Sequence, residues 1–160
     1  MVNRDQKRLL ASCLLRTERR RVDQSVIARM LVAHGSVDGL LEPEVIEPNP
    51  AAQRTTAIIK SASRDQWTQA EQLVDDELAA AAAVGAKLVT PLDDDYPANL
   101  RLVFNLVPYL FYRGELDVVA DARSVAVVGT RKASTDGLNT ASRMARALAA
   151  KEITVVSGLA

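Results

Sequence analysis

One cysteine, one histidine and few aromatic residues set the first limits on this chain. With Cys13 alone, an intramolecular disulfide and a cysteine-based zinc site are both excluded. Cys13 lies in the apolar run Leu9–Leu15, so it reads as a buried thiol. His34 has no second histidine and no carboxylate or thiol partner nearby in sequence. It falls at the end of a helical pattern, where an imidazole complements the helix dipole, and reads as structural. Excess charge of either sign is also missing: 20 Lys and Arg balance 20 Asp and Glu. The chain as a whole is therefore not a polyelectrolyte binder, and any nucleic-acid surface has to be a local patch. It contains no long uninterrupted apolar span and no signal-peptide pattern, which gives the expectation of a cytoplasmic protein without membrane attachment. Scarce aromatics (4%) beside abundant alanine point to a helix-rich α/β chain.

At 160 residues there is room for one domain, or for one small and one partial domain. The first part reads as short helices. Leu9, Leu10, Cys13 and Leu14 fall at helical spacing. Asp23 caps a second helix carrying Val26, Ile27, Met30 and Leu31, and Gly35 stands where a left-handed C-terminal glycine stops it. Residues 36–41 begin another short helix or turn. Pro43, Pro48 and Pro50 mark a loop, and residues 51–61 form a helix anchored by Ile58 and Ile59. The cations Arg4, Lys7, Arg8, Arg16, Arg19, Arg20, Arg21 and Arg29 outnumber the local carboxylates. A phosphate contact needs only clustered cations, but a solvated helix face and a charged linker at 16–21 carry more weight here.

Residues 64–84 read as one long helix with Trp67, Ala70, Leu73, Val74, Leu78 and Ala81 on its apolar face. Gly85 ends it, and a short strand follows at 86–90. The consecutive Asp93, Asp94 and Asp95 diverge too much for a metal site, so they read as a turn or cap. Leu100, Leu102, Val103 and Leu106 are core candidates in a short helix. Tyr109–Tyr112 reads as a buried strand in preference to a base-stacking surface, with a turn at 114–117.

The stretch around which the chain is organised is Ser124–Arg131. Val125–Val128 is an apolar run of the kind expected in a strand buried on both faces. Gly129 and a polar loop follow, and Gly137 opens a helix carrying Leu138, Ala141, Met144, Ala145 and Leu148. Residues 153–156 form the next strand. Strand, helix, strand at this spacing is a right-handed βαβ unit, whose ligands bind at the carboxyl ends of the strands. Gly129-Thr130-Arg131 and Ser157-Gly158 both lie at such ends and are expected to share one pocket. The dinucleotide fingerprint G-x-G-x-x-G is absent, since Arg131 stands in place of the second glycine. Bound NAD is not expected; a phosphate backbone or simple anion is.

In order and spacing, Asp95-Tyr96-Pro97, Pro108-Tyr-Leu-Phe-Tyr-Arg-Gly114, Val127-Val-Gly-Thr-Arg131 and Val155-Val-Ser-Gly-Leu-Ala160 resemble the bacterial DNA processing protein A family (DprA, or Smf). The resemblance implies single-stranded DNA binding without a chemical step, and loading of a RecA-type recombinase during natural transformation. It implies a pocket lined by Gly129, Thr130, Arg131 and Lys132, by Ser134 and Gly137 of the following turn, and by Ser157 and Gly158. Asp136 takes the family's aromatic position. No cofactor and no metal are implied. The family continues beyond Ser-Gly-Leu-Ala into further strands, helices and a dimerisation surface. The expectation is therefore a truncated product or fragment, marginally stable or ordered by a partner, in which a homodimer is doubtful.

The expected fold is α/β: a small helical N-terminal domain (1–63), then an incomplete Rossmann-like parallel βαβ domain (64–160). Two other functional classes stay open. One is a non-functional or protein-interaction remnant. The other is a nucleotide-processing enzyme, such as a nucleotide hydrolase, for which Asp136 and Glu152 are the only carboxylates near the pocket.

Overall fold

The computed structural model describes residues 2–40, 49–116 and 123–158. The fold is α/β and falls into two units, Met1–Leu116 and Asp117–Ala160, each with its own sheet.

In the first unit, α1 (Arg4–Leu14), α2 (Gln24–His34), a 3-10 turn at Asp38–Leu40, α3 (Pro50–Ser61) and α4 (Arg64–Ala83) build a helical core. Each start has a chemical cause. The Asn3 side chain accepts from Gln6 N while Gln6 reaches back to Asn3 N, closing a capping box on α1. Asp23 caps α2 by accepting from Ser25 N and Val26 N. Asn49 caps α3, and Ser63 with Gln66 repeats the capping box on α4. Gly35 ends α2 as expected, at φ 65°, with its N–H donating to Leu31 O at 2.9 Å. Gly39 has a different setting: a Cβ there would stand 2.5 Å from the His34 ring, so the ring would have to move. The ring thus lies against bare backbone, in keeping with its structural reading.

Leu9, Leu10, Cys13, Ile27, Leu31, Leu40, Ile59, Ala70 and Val74 are buried together, so α1 to α4 share one core. The boundary expected between residues 63 and 64 does not coincide with a break in this packing, because α4 lies against α1. Pro50, expected in a loop, is the first residue of α3, where its missing N–H costs nothing. Pro43 and Pro48 lie outside the described residues. Leu73, placed on the apolar face from sequence, is half-exposed instead.

Strands β1 (Lys87–Val89) and β2 (Leu110–Tyr112) pair antiparallel, Leu88 opposite Phe111. Leu88, Tyr109 and Phe111 pack on the helical core. Tyr109 and Phe111 meet edge to face at 5.8 Å, so these aromatics serve packing. A second small core gathers Ala28, Val89, Tyr96 and Leu106. Tyr96 organises the loop between the strands. Its hydroxyl donates to Val107 O at 2.7 Å, and Arg101 lies over its ring at 5.4 Å. The same guanidinium donates to Pro91 O and Asp93 O. The Asp93 carboxylate accepts from Thr90 N and Thr90 Oγ1, so the aspartate run forms a turn as expected. The short helix expected next is a single turn, α5 (Ala98–Arg101). Leu106 is buried, but Leu102 (85% exposed) and Val103 are not in the core; the chain leaves the helix before it can present them inward.

The second unit is a βαβ motif: β3 (Ser124–Ala126), α6 (Thr135–Ala149) and β4 (Thr154–Val156). β3 and β4 are parallel, with Val125 opposite Val155 and Ala126 opposite Val156. The expected strand buried on both faces is not found. Val125 is 40% and Val128 84% exposed, and no described residue from 123 to 158 is buried. Two short strands and one helix do not cover both faces of a sheet.

Two outcomes are expected from the first unit. Tyr96→Phe removes the bond to Val107 and should lower unfolding free energy by about 1 kcal/mol in urea denaturation. Burial first, then the charge of Glu77, pushes the Tyr109 hydroxyl up from 10 to about 12. Between these values the folded chain keeps a proton that the unfolded chain has lost. Stability should therefore fall as pH rises from about 10 to about 12, and Tyr109→Phe should flatten that fall in denaturation curves taken across the window.

Candidate nucleic-acid interface

The parallel register of β3 and β4 decides where the sequence-derived site residues emerge. Ala126 and Val156 are partners, and Val127 N still donates to Val156 O at 2.9 Å. The chain beyond β3 (Gly129, Thr130, Arg131, Lys132) and the chain beyond β4 (Ser157, Gly158) thus leave the same edge of the pair. Leu159 and Ala160 lie outside the described residues.

Within the β3–α6 loop, Thr130 Oγ1 accepts from Lys132 N at 3.2 Å, a small turn with Arg131 at its apex. Arg131 and Lys132 are exposed. Ser134 is the N-cap of α6, its Oγ accepting from Gly137 N at 3.2 Å. The helix accordingly starts at Thr135, two residues before the expected Gly137. A Cβ at Gly137 would meet Ser134 Oγ at 3.4 Å, which is ordinary contact. Ser134 and Gly137 are therefore tied to each other as cap and capped amide. Sequence reasoning placed both near the site but did not find this link, although Ser-x-x before a helical run is its signal. Asp136 lies in the first turn of α6, where a carboxylate complements the helix dipole.

Charge in this unit is one-sided. Between residues 123 and 158, Arg123, Arg131, Lys132, Arg143, Arg146 and Lys151 face only Asp136 and Glu152. All six cations are exposed, and none forms an ion pair with a described residue. Arg123, just before β3, belongs to no motif and carries no signal in the sequence. Glu152 precedes β4, at the opposite end of the strand from Ser157, with φ 56° at the return from α6. Asp136 and Glu152 thus stand at opposite ends of the motif, not as an acid–base pair. Among the described residues no group of three or more His, Cys, Asp or Glu side chains could hold a metal ion, and no helix is long and apolar enough to cross a membrane.

Comparison with known proteins bears on the same segment. The family model for DNA recombination-mediator protein A matches residues 87–160, from the first residue of β1 onward. The chain is similar to the DNA processing protein DprA of Streptococcus pneumoniae, 39% identical over 69 residues, covering 43% of this chain and 24% of that protein. It is similar to the DNA processing protein DprA of Bacillus subtilis, 23% identical over 137 residues, covering 78% and 46%. A putative DNA processing protein DprA of Mycobacterium tuberculosis is 34% identical over 109 residues, covering 58% and 28%. The chain thus spans less than half the length of each of these relatives. No solved structure matches it.

The Ser134 cap is testable by itself. Ser134→Ala should destabilise α6 by about 1 kcal/mol, seen as faster hydrogen exchange at the α6 amides, while Ser134→Asp should keep their protection.

Proposed function

This chain belongs, through residues 87–160, to the DNA recombination-mediator protein A family, and from that premise we propose that it binds the phosphate backbone of single-stranded DNA through the β3–α6 loop. The observation that carries this reading is the parallel register of β3 and β4, which sends the Arg131 loop and Ser157-Gly158 out of one sheet edge in a unit with excess positive charge.

In this reading Arg131 is the principal phosphate ligand. Its guanidinium offers a planar fork to two phosphate oxygens, and Lys132 adds a point charge beside it. Backbone N–H groups at Gly129 and Gly158 can approach a phosphate closely, since nothing lies within 4 Å of where a Cβ would stand at either. Thr130, Ser134 and Gly137 shape the loop through their hydrogen bonds, and Ser157 contributes from β4. The activity is binding without a chemical step. The bound strand is prepared for DNA processing in transformation, by delivery to a RecA-type recombinase. Homodimerisation, as implied by the family, belongs to the same proposal.

The test is fluorescence anisotropy of a labelled oligo-dT with the full chain, at low and near-physiological salt, with Arg131→Ala alongside. The expected result is salt-sensitive binding, with log K falling against log salt by about 0.7 for each phosphate neutralised, and a marked loss in Arg131→Ala. Equal binding by the two proteins would remove Arg131 from the site. No binding by folded wild-type chain at either salt would overturn the function.

A further inference from the structure

Between α1 and α2 the chain reverses within residues 16–21, and this turn carries Arg16, Arg19, Arg20 and Arg21 against one carboxylate, Glu18. Arg16 and Arg21 are opposite each other in an antiparallel bridge. The flanking bonds run from Val22 N to Leu15 O at 3.3 Å and from Thr17 N to Arg20 O at 2.8 Å. Arg16 and Arg21 are thus a non-hydrogen-bonded pair, the kind whose Cα atoms approach to about 4.5 Å. Like charges directly opposite at such a position destabilise the pairing.

The turn is nonetheless firmly held. Leu15 and Val22, at its base, are buried in the helical core. Thr17 Oγ1 accepts from Arg20 N at 3.1 Å. Gln66 Nε2 donates to Arg16 O at 2.8 Å, and Gln66 is itself fixed by the capping box with Ser63. All four arginines are exposed, and none has an ion-pair partner among the described residues. Lys7 is on Asp75, Arg8 on Asp38, and Arg29 and Arg101 on backbone carbonyls; the exposed cations Arg4, Arg54, Lys60, Arg64 and Arg113 are not set opposite another arginine among the described residues, as Arg16 and Arg21 are. A solvated linker accounts for exposure. It does not account for a rigid hairpin that sets two arginines opposite each other with no counter-charge among the described residues.

We propose that the 16–21 turn is a second contact for a nucleic-acid phosphate backbone, separate from the Arg131 loop. A row of phosphates supplies the counter-charge that no described residue gives, and relieves the Arg16–Arg21 repulsion. All four cations are arginine, the side chain whose fork matches phosphate geometry. The choice of nucleic acid as the polyanion rests on the DNA-binding reading above, but the test separates the two sites.

Oligo-dT anisotropy is measured across a salt series for the full chain, the double variant Arg19→Ser/Arg20→Ser, Arg21→Ser and Arg131→Ala. The turn variants should bind more weakly at low salt and flatten the salt slope by about 0.7 for each phosphate that is no longer neutralised. Arg21→Ser should melt at or above the wild-type temperature. Unchanged affinity and slope in the turn variants would overturn this proposal; if Arg131→Ala still loses binding, the Arg131 reading stands. Loss in the turn variants with full binding by Arg131→Ala supports the turn and overturns Arg131. A lowered melting temperature for Arg21→Ser assigns the arginines to folding and overturns the proposal. Wild-type chain that binds no oligo-dT overturns both readings.

Discussion

Two parallel strands cannot be joined by a tight turn, and this constraint organises residues 123–158. β3 and β4 need a crossover long enough to bring the chain back to the starting edge, and α6 supplies it. Three consequences follow from that requirement. The loop into α6 and the chain leaving β4 emerge from the same edge. The α6 N-terminus comes to that edge with its free amides, one of them satisfied by Ser134. The return is made at the other end, where Glu152 takes a left-handed conformation that a non-glycine residue rarely adopts. The polar residues that resemble a phosphate site are therefore where they are because of connectivity, before any question of affinity arises.

In the first unit, connectivity is antiparallel and the polar residues have a different fate. Asp93 is bound to Thr90, Arg101 to carbonyls of the same loop, and Tyr96 to Val107. Residues that could suggest metal or base-stacking chemistry are used to close a loop over a small core. Burial pushes the Cys13 thiol up and away from ionisation, with Glu77 adding to the effect, so the one cysteine is an inert core residue. The 16–21 turn stands in contrast to these satisfied groups. Its backbone is held by hydrogen bonds and core packing, while its cations have no ion-pair partner among the described residues.

Local signals in the sequence were sufficient for much of the fold. Asp23 and Gly35 bound α2 because capping and the left-handed stop depend on residues at the helix ends alone. The long α4 and the βαβ order follow from periodicity and glycine placement in the same way. Failures cluster where a residue's state is set by what packs on it. Val125 and Val128 have the composition of a buried strand, but burial depends on a second layer that composition does not encode. Leu102 and Val103 continue an apolar pattern past the single turn of α5. For the site, motif order pointed to Arg131, Ser134 and Ser157, whereas the pairing of Ser134 with Gly137 and the apex position of Arg131 are set by the folded loop. The arginine run at 16–21 was visible as charge. Its cross-strand juxtaposition was not, because register across a turn cannot be read from the order of cations along the chain.

Zero net charge is compatible with nucleic-acid binding because the charges are segregated. The acidic residues of α4, Glu71, Asp75, Asp76 and Glu77, are largely on its exposed side, and Asp75 is already paired with Lys7. Gln66 ties the arginine turn to the first turn of α4, where Asp65 is offset by its neighbour Arg64. At 1.5 Å per residue, the acidic stretch begins about 7 Å farther along the helix and extends to about 16 Å. At physiological ionic strength the Debye length is about 8 Å, so most of that acidic field is screened before it reaches the turn. A strand of phosphates in contact with the turn meets the local excess of three positive charges from four arginines and Glu18, not the sum over the chain. The same reasoning applies separately to residues 123–158, where the cations outnumber the carboxylates threefold.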